Sequence, residues 1–297
     1  GSINTLVSKI FLDRKEPLYG RQTAFMRIEP FSVSVLKSIL RHYKRDYVPE
    51  DLLALWAFTG GVAKYVALLM DAGALDFDKM LSVAVSEDSF FLEEGRILLG
   101  DEFGRDYAVY FSILSAIARG ITTRNEIEQA VGRHVGGHLT RLEEDYHLVS
   151  KRMPFGAKTT RLVRYQIDDP FYRFWFRFIF KYDGLVQMKN FAMLRKFVKR
   201  DYLAFSGFAL ESYFRKKLEE SGEWSRIGNW WDRKGENEID LIAQNELDGS
   251  CRVFEIKRDR KRIDLDVLKE KFSVCRAAIG LPRTVNPEFT GLSMEDM

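Results

Sequence analysis

Three short runs with strand patterns follow one another between residues 224 and 258, and they constrain the fold more than any other part of the sequence. "WSRIGNWW" and "EIDLIAQ" flank a turn at Lys234-Gly235, and "CRVFEIKR" follows a turn at Asp248-Gly249. Such short turns join neighbouring antiparallel strands. The sequence therefore predicts an antiparallel sheet, with amphipathic helices before it over 204–222 and after it over 265–280. After Gly280 we find no further strand pattern.

Acidic residues recur on two of these neighbouring predicted strands. Because side chains alternate between the faces of a strand, Glu255 and Lys257 share one face of theirs, and the carboxylates of Asp240 and Glu255 can meet across adjacent strands. Two carboxylates with water suit Mg²⁺ or Mn²⁺. With such a metal, Lys257 would position and activate water against a phosphodiester, and Glu211 would complete the site from the preceding helix. The alternative is a two-faced sheet that simply carries charge on its solvated side.

The residues before this sheet are mostly helical in pattern. Apolar residues recur at three- and four-residue spacing over 31–43 and 49–73, with a break at Gly60-Gly61, and a loop with a short strand precedes them near Met26. From Tyr107 the pattern is helix, a turn with Thr122-Thr123 as caps, two further helices and a hairpin, which predicts a winged helix-turn-helix.

The predicted hairpin carries cations without an acid, and we expect it to lead any contact with DNA. The alternative is a winged helix that only packs against its neighbours. The basic residues concerned are Lys151, Arg152, Lys158, Arg161 and Arg164.

Whole-chain composition limits the choice of partners only weakly. The 297 residues carry a net charge of +3, too small to indicate nucleic-acid binding by itself. Neither Cys251 nor Cys275 has a partner at metal or redox spacing, so we expect buried thiols in a reducing, cytoplasmic protein. No apolar run approaches the roughly 20 residues of a membrane span, and we expect no membrane partner.

The order helix with Glu211, strand with Asp240, strand with Glu255 and Lys257, then helix resembles the PD-(D/E)XK nuclease superfamily. That resemblance implies a restriction-endonuclease-like α/β domain whose active site is formed by these four residues. The sequence departs from the family pattern at Ile239, which stands where a proline usually precedes the aspartate.

Four phrases extend the resemblance over the chain: "PLYGRQTAFMRIEPF", "WAFTGGVAKYVALL", "YQIDDPFYRFWFRFI" and "IGNWWDRKGENEIDLIA". In this order they resemble archaeal and bacterial DEXX-box ATPases, a STAND-like branch of the AAA+ superfamily, although Ala63 replaces the usual proline. The resemblance implies an α+β, multidomain chain: the end of an ATPase domain with its helical lid (1–85), a linker helix and winged helix (86–185) and a nuclease-like domain (186–297).

The 297 residues contain no G-x-x-x-x-G-K-[ST] phosphate loop. We therefore expect ATP to bind a part of the protein outside this chain. By the same resemblance, Arg21 is a candidate nucleotide-sensing arginine and Lys64 a candidate phosphate contact; the alternative is that both are solvated surface residues.

These features support a C-terminal part of an ATP-dependent switch protein that acts on nucleic acid, most simply DNA, by Mg²⁺- or Mn²⁺-dependent cleavage. Two alternatives remain: a non-catalytic nuclease-like scaffold that binds nucleic acid or protein, and a signalling ATPase without nucleic acid. Homo-oligomers are expected only through the ATPase part.

Overall fold

The computed structural model describes residues 14–21, 23, 24, 26, 28–157, 162–281 and 285–297. The described chain combines helices with two small sheets, which is compatible with the predicted α+β class. It divides into two compact units. The first contains 84–151 and 165–195 with the described residues up to 30, and the second contains 31–83, 196–297 and the described residues of 152–164.

Four helices form the N-terminal part of the second unit: α1 (Val33–Tyr43), α2 (Pro49–Thr59), α3 (Ala63–Asp71) and α4 (Phe77–Ala84). The predicted break at Gly60-Gly61 is confirmed. Gly60 ends α2 in the left-handed conformation, and a side chain on Gly61 would lie 2.5 Å from the Phe31 carbonyl oxygen. A residue without a Cβ is therefore required there.

The first unit contains four helices, a hairpin and two short helices: α5 (Phe90–Phe103), α6 (Tyr107–Ala118), α7 (Arg124–Val131), α8 (Gly136–Glu144), β1 (Val149–Arg152), β2 (Arg164–Ile167), α9 (Pro170–Phe174) and α10 (Asp183–Gln187). Thr123 caps α7, as predicted: its hydroxyl oxygen accepts from the Glu126 N–H, and the Glu126 carboxylate accepts from the Thr123 N–H. Strands β1 and β2 pair with each other, so the predicted order of helices and hairpin is observed.

The second unit ends in two helices and a four-stranded sheet: α11 (Phe191–Ser221), β3 (Arg226–Trp231), β4 (Glu238–Gln244), β5 (Cys251–Ile256), α12 (Leu265–Cys275) and β6 (Glu288–Leu292). The strand order is β3-β4-β5-β6, with β6 parallel to β5 and the other neighbours antiparallel. α11 begins earlier than its expected start at 204.

Strand β6 corrects the expectation that no strand follows Gly280. Its sequence, "EFTGL", has no regular alternation of apolar and polar residues. None of its residues is fully buried. A parallel strand is also reached by a helical crossover and leaves no hairpin turn in the sequence.

The strand predicted near Met26 lies partly outside the described residues, because residues 22, 25 and 27 are not among them. The described residues between 14 and 30 lie in turns and irregular backbone.

The core of the sheet unit lies between the strands and α12. Leu268 and Phe272 of the helix pack against Ile242 and Val253 of the sheet, in a cluster that also buries both cysteines as free thiols. Among the described residues, no helix is both long and apolar enough to cross a membrane.

Candidate functional site

Asp240, Glu255 and Lys257 converge where β4 begins and β5 ends. The Lys257 Nζ lies 3.0 Å from Asp240 Oδ2 and 3.5 Å from Glu255 Oε1. The Glu255 side chain is almost fully buried, whereas about a third of the Lys257 side chain is exposed. Two carboxylates from adjacent strands therefore share one cation close to the protein surface.

Backbone N–H groups hold both carboxylates in place. Asp240 Oδ2 accepts from the Ile256 N–H at 2.7 Å, and Glu255 Oε2 accepts from the Asp264 N–H at 2.8 Å. Asp264 in turn caps α12 by accepting from the backbone of its first turn. Each acid thus has one oxygen fixed by the backbone, which orients it without the help of a flexible side chain.

A β-bulge in β4 lies at the same place. Gly228 pairs with Ile242 and Trp230 with Ile239, so β4 has one more residue than β3 in this interval. The Asn229 side chain fills the irregularity, because its Nδ2 donates to the Asp240 carbonyl oxygen and its Oδ1 accepts from the buried Arg215 of α11. Bulges redirect side chains next to functional sites, and this one carries Asp240.

The charge balance of the cluster keeps Lys257 protonated. Burial lowers the pKa of its ammonium group, but the negative charges of Asp240, Glu255 and Glu211 outweigh burial and raise the pKa above the ordinary 10.5. Glu211, half-buried on α11, is therefore within electrostatic range of Lys257. Of the four predicted residues, Asp240, Glu255 and Lys257 are in direct contact. The fourth, Glu211, acts on Lys257 through its negative charge.

The donor set fits a small hard cation. Within the described ranges, no three His, Cys, Asp or Glu side chains form a ready-made metal cluster. Mg²⁺ needs only one or two carboxylates, because water fills its remaining positions. Asp240 and Glu255 supply two, and Lys257 contacts an oxygen of each. The residues present therefore fit Mg²⁺ or Mn²⁺ with a large share of water ligands.

Arg258 and its partners are residues of this region that sequence reasoning missed. Arg258 Nη1 donates to the buried Ser206 Oγ at 2.7 Å, and its Nη2 forms an ion pair with Glu50 of α2. The contact ties the residue after Lys257 to α11 and to the first helical turn of α2. Glu50 lies 208 positions away in the chain, so no local pattern could have revealed it.

Two basic residues of the predicted DNA-binding hairpin are matched with acids in the structure. Lys151 lies 2.5 Å from Glu143 of α8, and this acid raises the pKa of Lys151. Arg164 lies 2.6 Å from Glu238 and stacks on the Trp231 ring at 4.6 Å. Arg152 is half-buried, whereas Lys158 and Arg161 lie outside the described residues.

The described part of the hairpin loop packs on the edge of the large sheet. Phe155 is buried in the core of the sheet unit, and its N–H donates to the Asn229 carbonyl at 2.7 Å. The Trp231 Nε1 donates to the Leu162 carbonyl at 3.1 Å. These contacts lie within the second unit, and DNA binding by the hairpin stays a prediction.

The two residues predicted to bind nucleotide are both exposed. Arg21 lies in a turn whose backbone N–H donates to the Leu18 carbonyl, and Lys64 lies in the first turn of α3. A nucleotide contact by either residue stays a prediction.

Part of the chain is similar to a family of unknown function. Residues 175–267 match the model of DUF234, described as archaea bacterial proteins of unknown function. The matched segment includes α11, β3, β4 and β5 and therefore all four residues of the candidate site.

A longer match is to an uncharacterized protein of Methanocaldococcus jannaschii. The two sequences are 30% identical over a match of 288 aligned positions, and the match covers 91% of this chain. The chain spans only 62% of that relative's length. No solved structure matches this chain at a significant level.

Proposed function

We propose that the sheet site is a metal-dependent phosphodiesterase centre that cleaves nucleic acid. The observation that carries the proposal is the position of Asp240 and Glu255: on adjacent strands, oriented by backbone N–H groups and sharing Lys257 at a partly exposed point. The element order α11-β3-β4-β5-α12-β6 also agrees with a PD-(D/E)XK core of helix, three antiparallel strands, helix and further strand.

Each residue has a role that follows from its surroundings. Asp240 and Glu255 would hold Mg²⁺ or Mn²⁺, and the metal would supply Lewis-acid activation of water. Lys257 stays protonated, so it can place a positive charge beside a phosphate oxygen. Glu211 would balance that charge from α11.

The setting of this centre is also part of the proposal. We infer a C-terminal part of a cytoplasmic ATP-dependent switch protein of the DEXX-box, STAND-like type, in which residues 31–71 are the helical lid and residues 107–167 a winged helix. The greater length of the archaeal relative leaves room for an ATP-binding part beyond the matched segment. Arg21 and Lys64 would contact nucleotide only in such a protein.

The test is cleavage of labelled DNA and RNA by the purified chain with Mg²⁺, Mn²⁺ or EDTA. We expect metal-dependent cleavage that falls by roughly 100-fold or more in Glu255→Gln. The glutamine can keep the hydrogen bond from Asp264, so the fold should survive. Lys269→Ala is the matched control, because it removes a lysine that pairs with exposed Asp266 on α12. Equal cleavage by all three proteins would refute the proposal.

The second candidate function is a non-catalytic scaffold. It is favoured by one observation: Lys257 contacts both acids and so compensates part of their negative charge without any metal. This function predicts no cleavage under any condition and binding of nucleic acid or protein that is unchanged in Glu255→Gln.

A further inference from the structure

Two loops meet the same end of the large sheet as the candidate site. β3 ends and β4 begins at the turn 232–237, and β5 leads through a 3₁₀ turn (Arg260–Arg262) into α12. Because β4 and β5 are antiparallel, the beginning of β4 and the end of β5 lie together, and the Asp240–Lys257 contact lies between them. Both loops therefore border the site.

These loops contain cations of two kinds. Arg258 pairs with Glu50, and Arg260 pairs with Glu295 and Asp296. In contrast, the side chains of Arg233, Lys261 and Arg262 are exposed and form no ion pair within the described ranges of the chain. The first group fixes the loops to the protein, and the second group remains available to solvent.

The nearby aspartates are engaged by the backbone. Asp259 accepts from the Lys261 N–H at 3.0 Å, and Asp264 accepts from the first turn of α12. Asp232 accepts from the Lys234 and Glu236 N–H groups, both at 3.0 Å. These carboxylates shape the loops and give no ion pair to the three exposed cations.

We propose that Arg233, Lys261 and Arg262 form a phosphate-binding surface that positions the nucleic-acid backbone at the Asp240–Glu255–Lys257 site. The inference rests on the proposed function for its substrate class. Cations that contact phosphates fix the register of a nucleic acid and do not select its sequence. Substrate binding would then lie in the loops beside the site, whereas the sequence predicts it in the hairpin 151–164.

The experiment measures binding separately from cleavage. Fluorescence anisotropy with labelled duplex DNA, single-stranded DNA and single-stranded RNA is run in EDTA, so that no metal-dependent cleavage occurs. The full chain is compared with Lys261→Ala/Arg262→Ala and with Arg233→Ala. The matched control, Arg226→Ala/Arg252→Ala, also removes two positive charges, but from the opposite end of the sheet, where both arginines pair with glutamates.

The expected result is a roughly tenfold loss of affinity in Lys261→Ala/Arg262→Ala, a smaller loss in Arg233→Ala and a change below about twofold in the control. The slope of log K against log salt should fall by about 2 in the double variant, since each lost phosphate contact removes about one unit. The preferred substrate among the three identifies the form of nucleic acid.

The inference is overturned if the two double variants lose the same affinity, if neither loses any, or if the chain binds none of the three nucleic acids. Its failure differs from failure of the proposed function. Binding that depends on Lys261 and Arg262 without any cleavage refutes the nuclease alone. Metal-dependent cleavage with unchanged affinity in Lys261→Ala/Arg262→Ala refutes the phosphate surface alone.

Discussion

The sheet site and the basic hairpin are both rich in charge, but the charges are arranged differently. At the sheet site, Asp240 and Glu255 converge on Lys257, and backbone N–H groups hold the acids in position. In the hairpin, Lys151 and Arg164 each pair with one acid from another part of the chain. The first arrangement gathers two acids around one cation, whereas the second pairs two of the hairpin cations with one acid each.

The difference shows that local composition is a poor guide to the charge of a surface. The hairpin sequence contains no acid, yet Glu143 of α8 and Glu238 of β4 supply one to each of the two cations. The strand "VFEIKR" has mixed charges, yet its alternation places Glu255 and Lys257 on the same face. Spacing along a strand therefore predicts a site better than the net charge of a segment does.

Of the changes that compare the two regions, Asp240→Ala should cause the largest loss in the free energy of unfolding. This change leaves the Ile256 N–H without its acceptor and removes the closest acid of Lys257. Loss of hydrogen bonds to a charged group costs about 2–3 kcal/mol. Urea denaturation of the full chain should show this loss in the free energy of unfolding.

The comparison needs an equivalent change in the hairpin. Glu143→Ala removes the acid of a partly exposed pair, which contributes about 1 kcal/mol. Asp240→Asn keeps an acceptor oxygen, so its loss in the free energy of unfolding should lie between those of Asp240→Ala and Glu143→Ala. If Asp240→Ala costs no more than Glu143→Ala, the sheet cluster is an ordinary surface ion pair and the contrast between the regions is lost.

A smaller effect should come from Asn229→Ala, which tests whether the bulge orients Asp240. The change removes the donor to the Asp240 carbonyl and leaves the buried Arg215 with one partner fewer. We expect a loss of about 1–2 kcal/mol in unfolding free energy. Asn245→Ala is the matched control, because this amide also donates to one backbone carbonyl, that of Glu223, and accepts from the Leu247 N–H, but contacts no buried charged group. Equal destabilisation in both variants would show that Asn229 has no special role.

Much of the sheet site can be predicted from sequence because it depends on local periodicity. Alternation along β4 and β5 and the short turns between strands are enough to bring Asp240, Glu255 and Lys257 together. Glu211 can be predicted as an acid near an apolar helix face. The order of the helices before the sheet can also be predicted, because capping residues and glycines mark where helices begin and end. Thr123 begins one helix and Gly60 ends another.

The remaining features depend on contacts between residues far apart in sequence. No local sequence pattern predicts the Glu50–Arg258 pair. The same holds for the acids that pair with Lys151 and Arg164 of the hairpin. Strand β6 has neither a turn nor an apolar pattern to reveal it. Only Asn229 left a signal, because asparagine is unfavourable within strands and its presence in "RIGNWW" marks an irregularity.

The smallest predicted effect tests the hairpin directly. Lys151→Ala should change duplex-DNA affinity by less than about twofold, because the Lys151 ammonium group already pairs with Glu143. Glu143→Gln releases Lys151 and should strengthen binding about two- to threefold, with a salt slope steeper by about one unit. Both affinities can be measured by anisotropy at two or more salt concentrations. A tenfold loss in Lys151→Ala would instead mean that the paired lysine exchanges its carboxylate for phosphate, and the hairpin would then bind DNA as the sequence predicts.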